Sequence, residues 1–239
     1  MEVHAHSHTP RKKWTHYFWE FLMLFLAVFC GFLAEYQLEH KIEKERGVQY
    51  IHSFYDDLAA DTAEFSRLTA AYEWSLDVLK SRKECYDSIK NDPTCKCLVS
   101  LFNYSFGFAD LINADQTLLQ LKNAGGLRLL NKEDADSILL YDKKIRIYIK
   151  NETTGFQETQ TNIRNVIHSL NNYEWSSEIK NNKKIPVIFS KSQKELLNRY
   201  FNLLDQYYND SQLNIKSLKR LNQKAAGLIE YFKNKYRFN

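Results

Sequence analysis

Tyr17-Phe18-Trp19-Glu20-Phe21-Leu22-Met23-Leu24-Phe25-Leu26-Ala27-Val28-Phe29-Cys30-Gly31-Phe32-Leu33-Ala34 is the stretch that decides the fold. After Glu20 it runs for fourteen residues without a charge. Extended to its aromatic edges, it matches the roughly 20 residues that cross a hydrocarbon layer ~30 Å thick. Trp14, Tyr17 and Trp19 crowd one end and Tyr36 marks the other, as amphipathic rings do at a bilayer interface. The expectation is one transmembrane helix over 17–38, a basic, His-containing cytoplasmic tail over 1–16, and an extracytoplasmic helical domain over 39–239.

Other origins for the stretch fit less well. A buried core helix can be this apolar, but Arg11-Lys12-Lys13, then aromatics, then Leu and Phe is a membrane order. A cleaved signal peptide needs small residues at −3 and −1 of its cleavage site, and Phe32 stands at −3 from a cut after Ala34. A lipoprotein signal on Cys30 needs a small residue before it, where Phe29 stands. The basic residues tie at three on each side, but Lys41, Lys44 and Arg46 spread farther from the span as a group than Arg11, Lys12 and Lys13 and are interleaved with Glu39, Glu43 and Glu45, which favours a cytoplasmic N-terminus and a domain outside the inner (plasma) membrane.

The 239 residues hold only seven Gly and three Pro, so few breaks separate the elements and long helices are expected. Beyond the span, apolar residues recur every three or four positions: Ile51, Phe54, Leu58, Phe65, Leu68, Tyr72 and Leu79 in a first helix ending near Asn91. Short helices are expected over 98–108 and 115–123, with a turn at Gly125-Gly126. Asn131 caps a helix carrying Ile138, Tyr141, Ile145, Tyr148, Phe156, Ile163, Ile167 and Leu170, which Gly155 is expected to kink. A polar loop covers 171–184. Ser192 with Glu195 suggests a capping box for a last helix running to about Tyr236. The fold class expected is all-α: a transmembrane helix continuing into an antiparallel bundle that buries three amphipathic stripes.

The net charge of +4 is too small to point to nucleic acid, and none is expected as a partner. It is unevenly spread: residues 180–239 hold thirteen Lys and Arg against four Asp and Glu, a net +9, leaving −5 elsewhere. Of four Cys, Cys30 lies in the span. Cys85, Cys95 and Cys97 flank the turn signal Asn91-Asp92-Pro93, so Cys85 is positioned to bond with either of the others in an oxidising compartment.

Chemistry-bearing residues are sparse. Glu20, Ala27, Gly31 and Ala34 share one face of the span, and Ala27 with Gly31 is a small-xxx-small pair that admits close helix approach. Glu20 then either belongs to a helix–helix interface, carries protons as a membrane carboxylate, or meets water at the headgroups. His4, His6 and His8 form a tail tract able to bind a transition metal weakly. No phosphate loop, HExxH or GxSxG occurs, and no cofactor is expected.

Two stretches resemble known sequences. His8-Thr9-Pro10-Arg11-Lys12-Lys13-Trp14-Thr15-His16-Tyr17-Phe18-Trp19-Glu20, with Ala34-Glu35-Tyr36-Gln37-Leu38, resembles the start of uncharacterised single-pass membrane proteins of Bacteroidota. Tyr50-Ile51, Asp56-Asp57-Leu58, Asp61, Gln120-Leu121-Lys122-Asn123-Ala124-Gly125-Gly126-Leu127 and Tyr141 resemble a broader family of unknown function there. The resemblance implies a short cytoplasmic tail, one span and a helical periplasmic domain, and carries no activity. The expected role is therefore a non-enzymatic, membrane-anchored interaction or scaffold module of the cell envelope, acting through a protein partner or self-association. Its alternatives are a ligand-sensing helical bundle, which a polar pocket between helices would favour, and a single-span subunit of an ion-driven complex using Glu20.

Overall fold

The computed structural model describes residues 13–92, 97, 110–170 and 189–238. The His4, His6 and His8 tract, Cys95, and the stretches expected at 98–108 and 171–184 lie outside the described residues. The described residues are helical, with no strand among them. Helix α1 is Trp14–Asn91, unbroken over 78 residues, and ends where the sequence placed its stop. Then come α2 (Gln116–Asn123), a 3₁₀ turn (Gly126–Leu129), α3 (Lys132–Asn151), a π-helical turn (Glu152–Phe156), α4 (Gln157–Leu170) and α5 (Lys191–Tyr236).

The chain forms two compact units, Met1–Gln49 and Tyr50–Asn239, and α1 contributes to both. In the first unit the apolar stretch of α1 is not buried by any other part of the described chain. Phe21, Leu24 and Val28 are among its exposed side chains. This helix is long and apolar enough to cross a membrane.

In the second unit the buried side of α1 follows alternating steps of three and four: Ile51, Phe54, Leu58, Asp61, Phe65, Leu68, Tyr72, Ser75, Leu79 and Arg82. That is a heptad seam, the pattern that keeps one stripe of a helix facing its neighbours. Helix α5 buries a matching seam from Leu197 and Tyr200 to Leu228 and Phe232. Helix α4 packs along α5, with Ile163, Val166, Ile167 and Leu170 buried.

The order of cross-helix contacts gives the directions. Asp61 pairs with Tyr141 and Tyr72 with Glu152, both at a sequence separation of 80. A constant separation means that α1 and α3 run in the same sense. Helix α5 runs against α1: Arg82 meets Tyr200, Glu73 meets Lys219, and Ser66 meets Asn222. The bundle is thus not antiparallel throughout. Parallel neighbours require the intervening chain to return, and residues 110–117 run back along α1. The Asp110 carbonyl accepts from Arg67 at 3.4 Å, and the Ile112, Ala114 and Thr117 amides donate to Glu64, Asp61 and Asp57 at 3.2, 2.8 and 3.2 Å. Carboxylates on α1 supply the acceptors that a strand partner would otherwise provide.

Caps and turns show local chemistry at work. The Asn131 side chain accepts from the Asp134 amide at 3.0 Å, the expected cap of α3. For α5 the capping box is one residue pair earlier than expected. Ser190, not Ser192, is extended at the boundary; its hydroxyl accepts from the Gln193 amide, and the Gln193 side chain accepts from the Ser190 amide. Ser192 already lies inside the first turn, where its backbone cannot adopt a cap conformation. Gly125 sits at φ +66°, the left-handed region where a side chain is strained. Cys85 and Cys97 form a disulfide with 5.7 Å between Cα atoms, one of the two expected pairings, and Cys30 is free and exposed.

Candidate functional site: a cleft beside the π-turn

Gly155 does not end or simply bend its helix; it sits in the π-turn. There the Gln157 amide donates to the Glu152 carbonyl, five residues back rather than four. The cause lies in the seam. Along α3 the buried seam is Asp134, Ile138, Tyr141, Ile145, Tyr148 and Glu152, in steps of three and four, with Asp142 buried beside it. The next are Phe156, Thr159, Ile163, Val166 and Leu170, with Gln160 and Ile167 buried beside them. Strict alternation would put position 155, not 156, on the seam. One extra residue has entered, and the wider π-turn absorbs it so that the stripe stays on one side of the helix. Two successive steps of four, 148 to 152 and 152 to 156, are the sequence signal; a kink at Gly155 was the nearest expectation.

Beside this turn a cleft of about 420 Å³ opens between α3 and α5. Lys144, Ile147, Tyr148, Asn151, Gly155 and Phe156 line it from one side. Asp210, Leu213, Asn214, Ser217, Arg220 and Leu221 line it from the other. Both sets recur at helical spacing, so each is one face of its helix. The volume lies in the range of small-molecule sites, and the mixture of apolar wall and few polar groups is the usual composition of such sites. Lys144 and Arg220 form no ion pair among the described residues. The side-chain amide nitrogen of Asn214 is buried with no hydrogen-bond partner among them. Near Asp210 the Thr159 hydroxyl lies 3.2 Å from the Gly155 carbonyl and 3.3 Å from the Asp210 carboxylate, sharing its hydrogen between them, and accepts from Gln206 at 3.1 Å.

Behind the cleft lies a buried polar chain. Tyr72 donates to Glu152 at 2.8 Å, and Tyr148, which also lines the cleft, lies beside both. Burial pushes the Glu152 carboxyl above its usual range, against the opposing effect of Tyr72. Asp61 is raised for the same reason, although the Ala114 amide and the Tyr141 hydroxyl both favour its charged form. Asp134 goes the other way. Burial opposes its charge, but Lys235, Tyr236 and Tyr231 together hold it below the usual carboxylate range. Tyr231 and Lys235 each reach its Oδ1 at 2.8 Å.

A second cleft of about 550 Å³ lies between α1 and α5, lined by Glu73, Asp77, Lys80, Lys83, Asp205 and Tyr208 among others. Its acids outnumber its bases, and Glu73 is paired with Lys219 at 3.0 Å.

The other candidate residues remain apart from these clefts. Glu20 lies one turn from His16, with 3.3 Å between Oε1 and Nδ1. Ala27, Gly31 and Ala34 are exposed on the apolar stretch of α1, and nothing lies within 4 Å of where a Gly31 side chain would start. Among the described residues no group of three or more His, Cys, Asp or Glu is placed to hold a metal ion. Asp61 and Tyr141, singled out separately in the sequence, are brought into contact at 2.7 Å. No protein-family model, curated protein or solved structure matches the chain.

Proposed function

We propose that this chain is a membrane-anchored, non-enzymatic helical module of the bacterial cell envelope, working through a protein partner or through association of its own spans. One observation carries this reading. Among the described residues from 50 to 236 the apolar stripes of the helices are covered by one another, whereas the apolar stretch of the first unit has no cover at all. Uncovered side chains of that size find their solvent in lipid. The Cys85–Cys97 disulfide supports an extracytoplasmic domain with the N-terminus in the cytoplasm, because such bonds persist in oxidising compartments. The test is fractionation followed by proteolysis. The chain should resist alkaline extraction from membranes, and protease added outside intact spheroplasts should remove the C-terminal domain. Release of the uncut chain by alkali would overturn the anchor, and digestion only after lysis would overturn the orientation. Association through the small-residue face predicts that Gly31→Ile lowers cross-linking of full-length chains in membranes.

The cleft beside the π-turn supports a second reading, a ligand-responsive bundle. Ligand would then change cross-linking between spans, and unchanged cross-linking under saturating ligand would exclude it.

A further inference from the structure

We propose that the cleft between α3 and α5 is a binding site for a small aromatic monocarboxylate. The assignment deepens the ligand-responsive reading and rests on it. Three observations converge. Phe156 and Tyr148 give the cleft two aromatic walls, and Ile147 and Leu213 add apolar side chains that are 51% and 63% exposed. Such walls accept a flat apolar body through edge or offset ring contacts. Lys144 and Arg220 bring two positive charges and Asp210 one negative, so the lining carries a net +1. A monoanion neutralises that balance, whereas a phosphate dianion would overshoot it. Arg220 supplies the planar fork that matches a carboxylate with two parallel hydrogen bonds. The second cleft lacks these features: its lining is net acidic and its Glu73 is already paired.

The location also suits a responsive site. A π-turn is a weakened point in a helix and is often found where ligands bind. Here it lines the cleft through Gly155 and Phe156, and its Glu152 holds Tyr72 of α1 at 2.8 Å. A ligand whose ring is seated against Tyr148 and Phe156 would therefore touch the turn whose Glu152 accepts from Tyr72 of α1.

The test uses full-length protein in non-ionic detergent micelles, titrated calorimetrically with 4-phenylbutyrate, with 4-phenyl-1-butanol as the uncharged analogue and inorganic phosphate as the anion without a ring. Titration into empty micelles corrects for partitioning. Saturable binding of 4-phenylbutyrate is expected, with the alcohol and phosphate each at least about tenfold weaker, the loss of one charge-assisted contact pair. Arg220→Gln and Lys144→Gln should each weaken the carboxylate by about three- to tenfold and leave alcohol binding unchanged. Both positions are exposed, so circular dichroism and melting temperature should not move. Equal affinity for acid and alcohol, or unchanged carboxylate affinity in both variants, would overturn the carboxylate assignment and leave the ligand-responsive reading standing. Absence of saturable binding for acid and alcohol alike would overturn both.

Discussion

Tyr141 donates its hydroxyl to Asp61 at 2.7 Å, joining α3 to α1 across 80 residues of sequence. The same carboxylate accepts the Ala114 amide at 2.8 Å, so one buried group ties together the first helix, the returning strap and the third helix. Asp61 is only 1% exposed. A polar group on a heptad seam specifies which neighbour docks and in which register, because any slip leaves it unpaired.

Tyr141→Phe removes one donor and leaves Asp61 with the Ala114 amide. It should cost about 1–2 kcal/mol of domain stability. Asp61→Ala strands both donors and should cost more, on the order of 3 kcal/mol. Urea titration followed by far-ultraviolet circular dichroism measures both. Equal losses would mean that the carboxylate holds only the tyrosine.

Glu152 and Asp134 should give pH effects of opposite sign. Burial raises Glu152 above its ordinary 4.5, so between that value and its native one the folded chain holds a proton that the unfolded chain has released. Stability then falls as pH rises through this window. Glu152→Gln still accepts from Tyr72 but cannot ionise. It should match the native protein at about pH 4 and exceed it at about pH 8 in thermal melts. Asp134 is held below its ordinary 3.8, first against burial and then by Lys235, Tyr236 and Tyr231. Its contribution is present above that value and lost as pH falls through the depressed one. Asp134→Asn should therefore be most destabilising near neutrality and least so at strongly acid pH.

Three glycines should respond differently to alanine. A side chain at Gly155 would meet nothing within 4 Å, so Gly155→Ala should gain up to about 1 kcal/mol from helix propensity. At Gly126 the new carbon would stand 3.1 Å from Leu121 Cδ2, 3.2 Å from Leu121 Cα and 3.3 Å from Tyr50 Cε2. Gly126→Ala should lose about 1–3 kcal/mol through overpacking. Gly125→Ala, at φ +66°, should lose about 1–2 kcal/mol from backbone strain alone. Melting temperatures of the three variants should fall in the order 155, 125, 126 or 155, 126, 125; a stabilised Gly126→Ala would refute the close packing.

The disulfide gives a chemical test. Alkylation of unreduced, denatured protein should label Cys30 and leave Cys85 and Cys97 blocked, as mass spectrometry of the peptides reports. Cys85→Ser should lower domain stability by roughly 3 kcal/mol, the expected effect of opening a short loop.

What the sequence determined by itself is local or periodic. The absence of charge over 21–34, the three-and-four spacing of Ile51 through Leu79, and the cap at Asn131 each depend on near neighbours, so the apolar first segment of α1, the long helices and one helix start were legible. Even the π-turn had its signal in the double step of four around Glu152, although the glycine drew attention first. Direction and pairing were not legible. Nothing near Asp61 in sequence marks Tyr141 as its partner, and nothing near Lys144 marks Arg220 as facing it across a cleft. The apolar stripes of amphipathic helices pack comparably in parallel or antiparallel order. The choice falls to buried polar groups such as Asp61 and Glu152, whose need for a distant hydrogen-bond partner is met only once the tertiary fold has formed.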